Sequence, residues 1–141
     1  MKVVLDTNVI VAGLRSRQGA SFHILHWLGQ RRFTPLLSVP LFLEYEAVLK
    51  RPDLVPGLNQ ESIDIFLNVV ASVSDHVKLY YLWRPALADP ADDMILELAI
   101  AGNADAIVTF NRRDFMEATR RFGVNVMFPN EFLATLQEKQ P

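Results

Sequence analysis

Cysteine is absent from the 141 residues. That excludes a disulfide frame and any thiolate-held metal site. Histidine is scarce, occurring only as His23, His26 and His76. His23 and His26 stand one helical turn apart, but no third His and no Cys accompanies them. With Phe22 and Leu25 around them, ordinary packing or surface histidine is the better reading than a zinc set. No apolar run approaches a membrane span, and only Val3, Val4 and Leu5 separate Lys2 from Asp6. We therefore expect no signal peptide, no membrane contact and a cytoplasmic protein. Neither a Walker loop nor a Gly-x-Gly-x-x-Gly turn is present, which argues against kinase-like and dinucleotide-binding chemistry. Excess positive charge is lacking too: 14 Lys and Arg stand against 16 Asp and Glu, for a formal net charge of -2. The chain is not a generic basic nucleic-acid binder. The count would mislead if several acids gather around a cation that offsets their charge.

What is present is a globular composition, 50% hydrophobic and 21% charged. It suits a single domain over residues 1–141 with a real core. Val3, Val4 and Leu5 make a short apolar run that ends abruptly in Asp6-Thr7-Asn8. Such a run fits a strand buried on both faces, as in a parallel sheet. Asn8 is expected to cap a helix through Leu14, and Ser21 a second helix with the stripe Phe22, Leu25 and Leu28, closed by Arg31-Arg32. Phe33 to Ser38 reads as a strand. Pro40 suits the first turn of a helix carrying Leu41, Glu44, Tyr45 and Leu49, stopped by Arg51-Pro52. Asn59 opens another helix with Ile63, Phe66, Leu67 and Val70 on one face. His76 to Leu82 is a further strand. A helix follows from about Ala91 to Ala101, and Gly102-Asn103 stops it. Ala106 to Thr109 and Val124 to Phe128 read as strands around a short helical stretch, Asn111 to Phe122. Pro129-Asn130 opens a terminal helix. This alternation predicts an α/β fold: a three-layer α/β/α sandwich on a central, mainly parallel sheet of about four to five strands.

Acids fall at suggestive places along this pattern. Asp6 stands at the carboxyl end of the first strand, where open α/β sheets place their ligand crevice. Glu44 follows the second strand, with Leu41 and Val48 as helical neighbours. An acid in such company must be solvated, paired or bound to a cation. Asp89, Asp92 and Asp93 cluster at a helix start, and Asp114 follows the strand that ends in Thr109. Each alone has an ordinary use as a turn residue, a cap or a partner for the helix dipole. Together they would repel unless a divalent cation joins them. Oxygen-only ligands suit Mg²⁺ or Mn²⁺, ions that activate water and stabilise charge on a phosphodiester. Arg112 and Arg113 are candidates to grip phosphates, with a solvated helix face as the other reading, and Arg15 and Arg17 are weaker candidates. Trp27, Tyr80, Tyr81 and Trp83 either stack bases or pack a core or interface.

At these residues the sequence resembles the PIN-domain family of metal-dependent ribonucleases, and within it the VapC-type toxins. The matching pieces are Leu5-Asp6-Thr7-Asn8-Val9, Glu44-Tyr45-Glu46-Ala47-Val48-Leu49, Asp89-Pro90-Ala91-Asp92-Asp93 with Leu96-Glu97-Leu98-Ala99, and Ala104 to Thr109 leading into Asn111 and Asp114-Phe115. The resemblance maps the family's acidic quartet onto Asp6, Glu44, Asp93 and Asp114. It implies that Asp6, Asp93 and Asp114 hold Mg²⁺ or Mn²⁺, with Glu44 a further ligand or a water-positioning group. It gives Asn8, Thr7 and Thr109 supporting roles around the first aspartate, and Asp89 and Asp92 an outer contact or a substitute one. Asn111 stands where many relatives carry Asp; its amide bonds a ligand water but adds no charge. The implied function is a toxin endoribonuclease with an RNA substrate, a cognate antitoxin and a homodimeric state. The apolar helices Phe42 to Leu49 and Ile63 to Val73 would serve such partners, or simply face the core. Two other readings stand beside it: a nuclease of RNA processing or structured DNA, and a catalytically silent protein-binding module.

Overall fold

A computed structural model describes residues 1–79 and 90–139. Its strands are β1 (Lys2–Leu5), β2 (Thr34–Leu37), β3 (Asp75–His76), β4 (Ala106–Val108) and β5 (Val126–Met127). Its helices are α1 (Thr7–Arg15), α2 (Ala20–Gly29), α3 (Val39–Leu49), α4 (Gln60–Val73), α5 (Pro90–Ala101), α6 (Met116–Phe122) and α7 (Pro129–Lys139), with a 3-10 turn at Arg112–Phe115. The strands lie in the order β3-β2-β1-β4-β5, and every neighbouring pair is parallel. The expected fold class is therefore the observed one.

β1 is central because its sequence tolerates no water: Val3, Val4 and Leu5 are at most 1% exposed. Ala106, Ile107 and Val108 of β4 are equally buried beside it. From β1 the chain steps one way to β2 and β3, then returns to the other side for β4 and β5. Right-handed crossovers then send α1 to α4 to one face of the sheet and α5 and α6 to the other. The packing agrees, since α2 touches α1, α4 and α7, while α5 lies against β1, β2 and β4. Phe33, just before β2, meets Phe132 of α7 edge to face, with centroids 5.2 Å apart. Gly13 lets α1 and α2 close: a Cβ there would stand 2.5 Å from Leu25 Cδ1 and 2.9 Å from the Ser21 carbonyl.

Local chemistry sets the ends of the elements, and several differ from expectation. Asp6, not Asn8, caps α1, its carboxylate accepting from Thr7 N–H at 2.7 Å. α2 starts after Gly19 at φ 98°, and Ser21 lies buried inside its first turn instead of capping it. α2 stops at Gly29, before Arg31 turns left-handed at φ 58°. Ser38 caps α3 through Leu41 N–H, and Asn59 caps α4 through Ser62 N–H, the latter as expected. β3 is the two-residue pair Asp75–His76; positions 80–82 of the expected strand lie outside the described residues. The single helical stretch expected over Asn111 to Phe122 is instead a 3-10 turn followed by α6, which ends at left-handed Gly123.

Candidate active site

β1 and β4 are neighbours whose following connections run in opposite directions, so their carboxyl ends open a crevice at the switch point of the sheet. Leu5 pairs in register with Val108, and the next residues are Asp6 and Thr109. Asp6 N–H donates to the Val108 carbonyl at 2.9 Å, which prolongs the ladder by one bond. The side chains then meet: Thr109 Oγ1 donates to Asp6 Oδ2 at 2.7 Å, while Thr7 N–H donates to Oδ1 at 2.7 Å. Thr109 is fully buried and its hydroxyl also accepts from Asn111 N–H at 2.9 Å. One hydroxyl thus fixes both the aspartate after β1 and the turn after β4. Asp6 itself is 8% exposed. Burying a carboxylate is unfavourable, and donors on both oxygens offset part of that cost.

A cavity of about 460 Å³ opens above this pair. Three helices each line it with one stripe at helical spacing. α1 contributes Asn8, Val11, Ala12 and Arg15. α3 and the residues after it contribute Glu44, Val48 and Arg51. α5 contributes Asp92 and Ile95. Phe110 and Asn111 close it from the loop after β4. α3 is tied to the strand by Tyr45, whose hydroxyl donates to the Leu5 carbonyl at 2.5 Å. Burial pushes the Tyr45 phenol well above its ordinary value, and the negative charge of Asp6 pushes it further. The sequence offered no special reason to single out Tyr45, yet a buried tyrosine needs a partner for its hydroxyl. Here the partner is the last carbonyl of β1.

Of the expected site residues, the fold gathers Asp6, Thr7, Asn8, Glu44, Asp92 and Asn111 around one cavity. Asp93 does not line it. On a helix, Asp93 is rotated about 100° from Asp92, and Asp92 is the one that shares the Ile95 stripe. Asp114 is exposed one turn beyond Asn111, its N–H donating to the Asn111 carbonyl at 3.0 Å, and it does not line the cavity. Asp89 lies outside the described residues, as do Tyr80, Tyr81 and Trp83. Asn8 was expected to orient Asp6; its Oδ1 accepts from Phe110 N–H at 3.5 Å, which secures the loop after β4. Arg112 is engaged elsewhere, paired with Glu131 and stacked 4.0 Å from the Phe128 centroid. Arg113 is exposed and does not line the cavity either. Among the described residues, the cations that do line it are Arg15 and Arg51. Sequence spacing held a clue to this, since Arg51 falls two turns after Glu44 and Arg15 two turns after Asn8.

Among the described residues, the side-chain donors on this cavity include the carboxylates of Asp6, Glu44 and Asp92 and the amides of Asn8 and Asn111, oxygen groups that suit a hard divalent cation. Among the described residues, no three acidic or histidine side chains stand close enough to enclose an ion by themselves.

Residues 2–113 match the family model described as PIN domain. No curated protein matches the sequence. Among solved structures, the chain is similar to VapBC2 from Rickettsia felis, determined bound to a DNA fragment from its promoter. The two share 19% identity with a TM-score of 0.59, over 91% of this chain and 98% of that one. At that identity the likeness is one of fold.

Proposed function

The chain belongs to the PIN-domain family, and from that premise we propose that it is a Mg²⁺- or Mn²⁺-dependent endoribonuclease, the toxin of a toxin–antitoxin pair. The observation that carries the reading is the Thr109–Asp6 hydrogen bond at the sheet's switch point, beneath a cavity that Glu44 and Asp92 also line. Asp6 and Glu44 are the acids on which resemblance and cavity agree. For the acid from α5, the resemblance favours Asp93 and the cavity favours Asp92. For the acid after β4, the resemblance favours Asp114, while Asn111 faces the cavity and would bond a ligand water.

When bound, the ion supplies an activated water and offsets charge on the phosphate and the leaving oxygen. The chain's own groups do the rest. Thr7 and Thr109 hold the Asp6 carboxylate in one orientation, as partners outside a ligand set commonly do. Arg15 and Arg51 offset the phosphate charge at the rim. Tyr45 keeps α3, and with it Glu44, against the end of β1.

A protein partner has a candidate surface. Val39 and Leu43 of α3 and Ile65 and Val69 of α4 are all exposed, on two helices that pack together. A cognate antitoxin or a second copy of the chain would cover them. The likeness to VapBC2 supports the first of these, and the toxin reading carries with it a cytoplasmic site of action.

The test is cleavage of single-stranded RNA with Mn²⁺, comparing the wild type with Asp6→Asn. The amide keeps one oxygen, which accepts from Thr7 N–H or from the Thr109 hydroxyl but not from both, and it lacks the charge. Cleavage by the wild type that is abolished in Asp6→Asn, with an unchanged circular dichroism spectrum, is expected. Equal rates in the two proteins, or a wild-type rate indifferent to EDTA, would overturn the reading.

A further inference from the structure

A second cleft, of about 350 Å³, lies between the starts of α2 and α7 and shares Ala12 and Phe110 with the first cavity. We propose that this cleft receives an unpaired nucleobase, stacked on Phe110, from the strand whose scissile phosphate sits at the acids. The inference rests on the nuclease reading and goes further, by assigning the path of the substrate away from the metal site.

Two aromatic rings face this cleft, and both are substantially exposed: Phe110 at 47% and Phe128 at 37%. Phe128 already carries the Arg112 guanidinium on its ring. Phe110 has no ring or guanidinium stacked on it among the described residues. The backbone that carries the ring is also tied to the residues around Asp6. Asn8 secures the Phe110 N–H, and Thr109, which holds Asp6, secures the N–H of Asn111. A base stacked on Phe110 would therefore lie beside the loop that adjoins Asp6. Arg15 lines the first cavity and its neighbour Ser16 the second. A cation thus stands near the seam that a connecting phosphate would cross. Gln18 and Asn130 line the second cleft and offer amide groups to a base edge.

The occupant is a single strand because an aromatic side chain stacks on a base only where that base has left its own helical stack. Stacking of this kind tolerates any base, since each has a π-face, and is worth roughly 5- to 150-fold in affinity per base. The amides would add a preference on top of it.

Fluorescence anisotropy tests this with a short labelled single-stranded RNA in Ca²⁺, alongside versions that carry one abasic nucleotide at each successive position. For the wild type, one position should lose roughly 5- to 150-fold in affinity when made abasic. Phe110→Ala should lose a similar factor on the intact strand and become indifferent to that abasic position. Phe110→Tyr, which keeps a ring, should behave as the wild type. Wild-type affinity in Phe110→Ala, or an undiminished abasic penalty, would overturn the proposal. If the wild type binds and cleaves RNA but shows no such coupling, only the base cleft fails. If it binds no single strand at all, the nuclease reading fails with it. Loss of a co-purifying protein from Phe110→Ala, with RNA affinity intact, would assign the ring to a protein partner and equally overturn the proposal.

Discussion

Thr109→Val removes one hydroxyl and keeps the shape of the side chain. Thr109 is fully buried, so no water replaces the group that is lost. Asp6 Oδ2 loses its 2.7 Å donor, and Asn111 N–H loses its 2.9 Å acceptor. A hydrogen bond to a charged group is worth about 1.5–3 kcal/mol. Asn111 is exposed and its N–H can turn to solvent, so that second bond adds only about 0.5–1 kcal/mol. The sum is about 2–4 kcal/mol, which for a chain of this length lowers the melting temperature by roughly 6–15 °C. Catalysis should suffer separately. An Asp6 carboxylate without the Thr109 donor is less firmly oriented toward the ion, and removing such supporting partners commonly costs about 10- to 100-fold. Differential scanning calorimetry and Mn²⁺-dependent RNA cleavage measure the two effects. Thr109→Ser restores the hydroxyl and should recover most of the activity while losing only a methyl group. If Thr109→Val melts within about 2 °C of the wild type and cleaves at the same rate, the hydroxyl does not organise the site. If valine and serine are equally impaired, the side chain acts through packing alone.

Other substitutions probe separate parts of the account. Because the fold raises the Tyr45 pKa, the unfolded chain loses that proton first. The stabilisation is then fully present below about pH 10 and falls above it by about 1.4 kcal/mol per pH unit. Tyr45→Phe should lose about 1–3 kcal/mol at neutral pH and show a shallower alkaline decline than the wild type in urea titrations; parallel declines would contradict the burial argument. Asp92→Asn and Asp93→Asn, compared in the same cleavage assay, decide between cavity and resemblance: the larger loss is expected for Asp92, and a loss confined to Asp93 would favour the family mapping. Gly13→Ala replaces a poor helix former, yet it should destabilise by about 1–3 kcal/mol because the new methyl meets Leu25 and the Ser21 carbonyl. A higher melting temperature would show that α1 and α2 are less tightly seated than their geometry requires.

The fold was largely legible because its core strands are written in uninterrupted apolar runs. Val3-Val4-Leu5 and Ala106-Ile107-Val108 have no polar face to expose, so a parallel sheet covered on both sides follows from them. β3 was harder, since Asp75 and His76 are exposed edge residues with no such pattern. Caps depend on backbone angles that neighbouring residue types share, which is why Asn8 and Ser21 were plausible caps and Asp6 and Gly19 are the actual ones. The position of Asp6 could be read from the end of an apolar strand. The choice between Asp92 and Asp93 could not, because adjacent helical residues differ only by a rotation that tertiary packing fixes. The same holds for the rim cations. Arg112 and Arg113 were conspicuous as a pair, but Glu131 and Phe128 engage the first of them, and it is Arg15 and Arg51 that reach the cavity.

The most direct measurement is the anomalous difference map of a crystal soaked in Mn²⁺. A peak is expected about 2.0–2.2 Å from an oxygen of Asp6, with Glu44 or Asp92 reaching it directly or through water. A peak at any other place, or no peak beside Asp6 at saturating Mn²⁺, would contradict the claim that this crevice is a metal site.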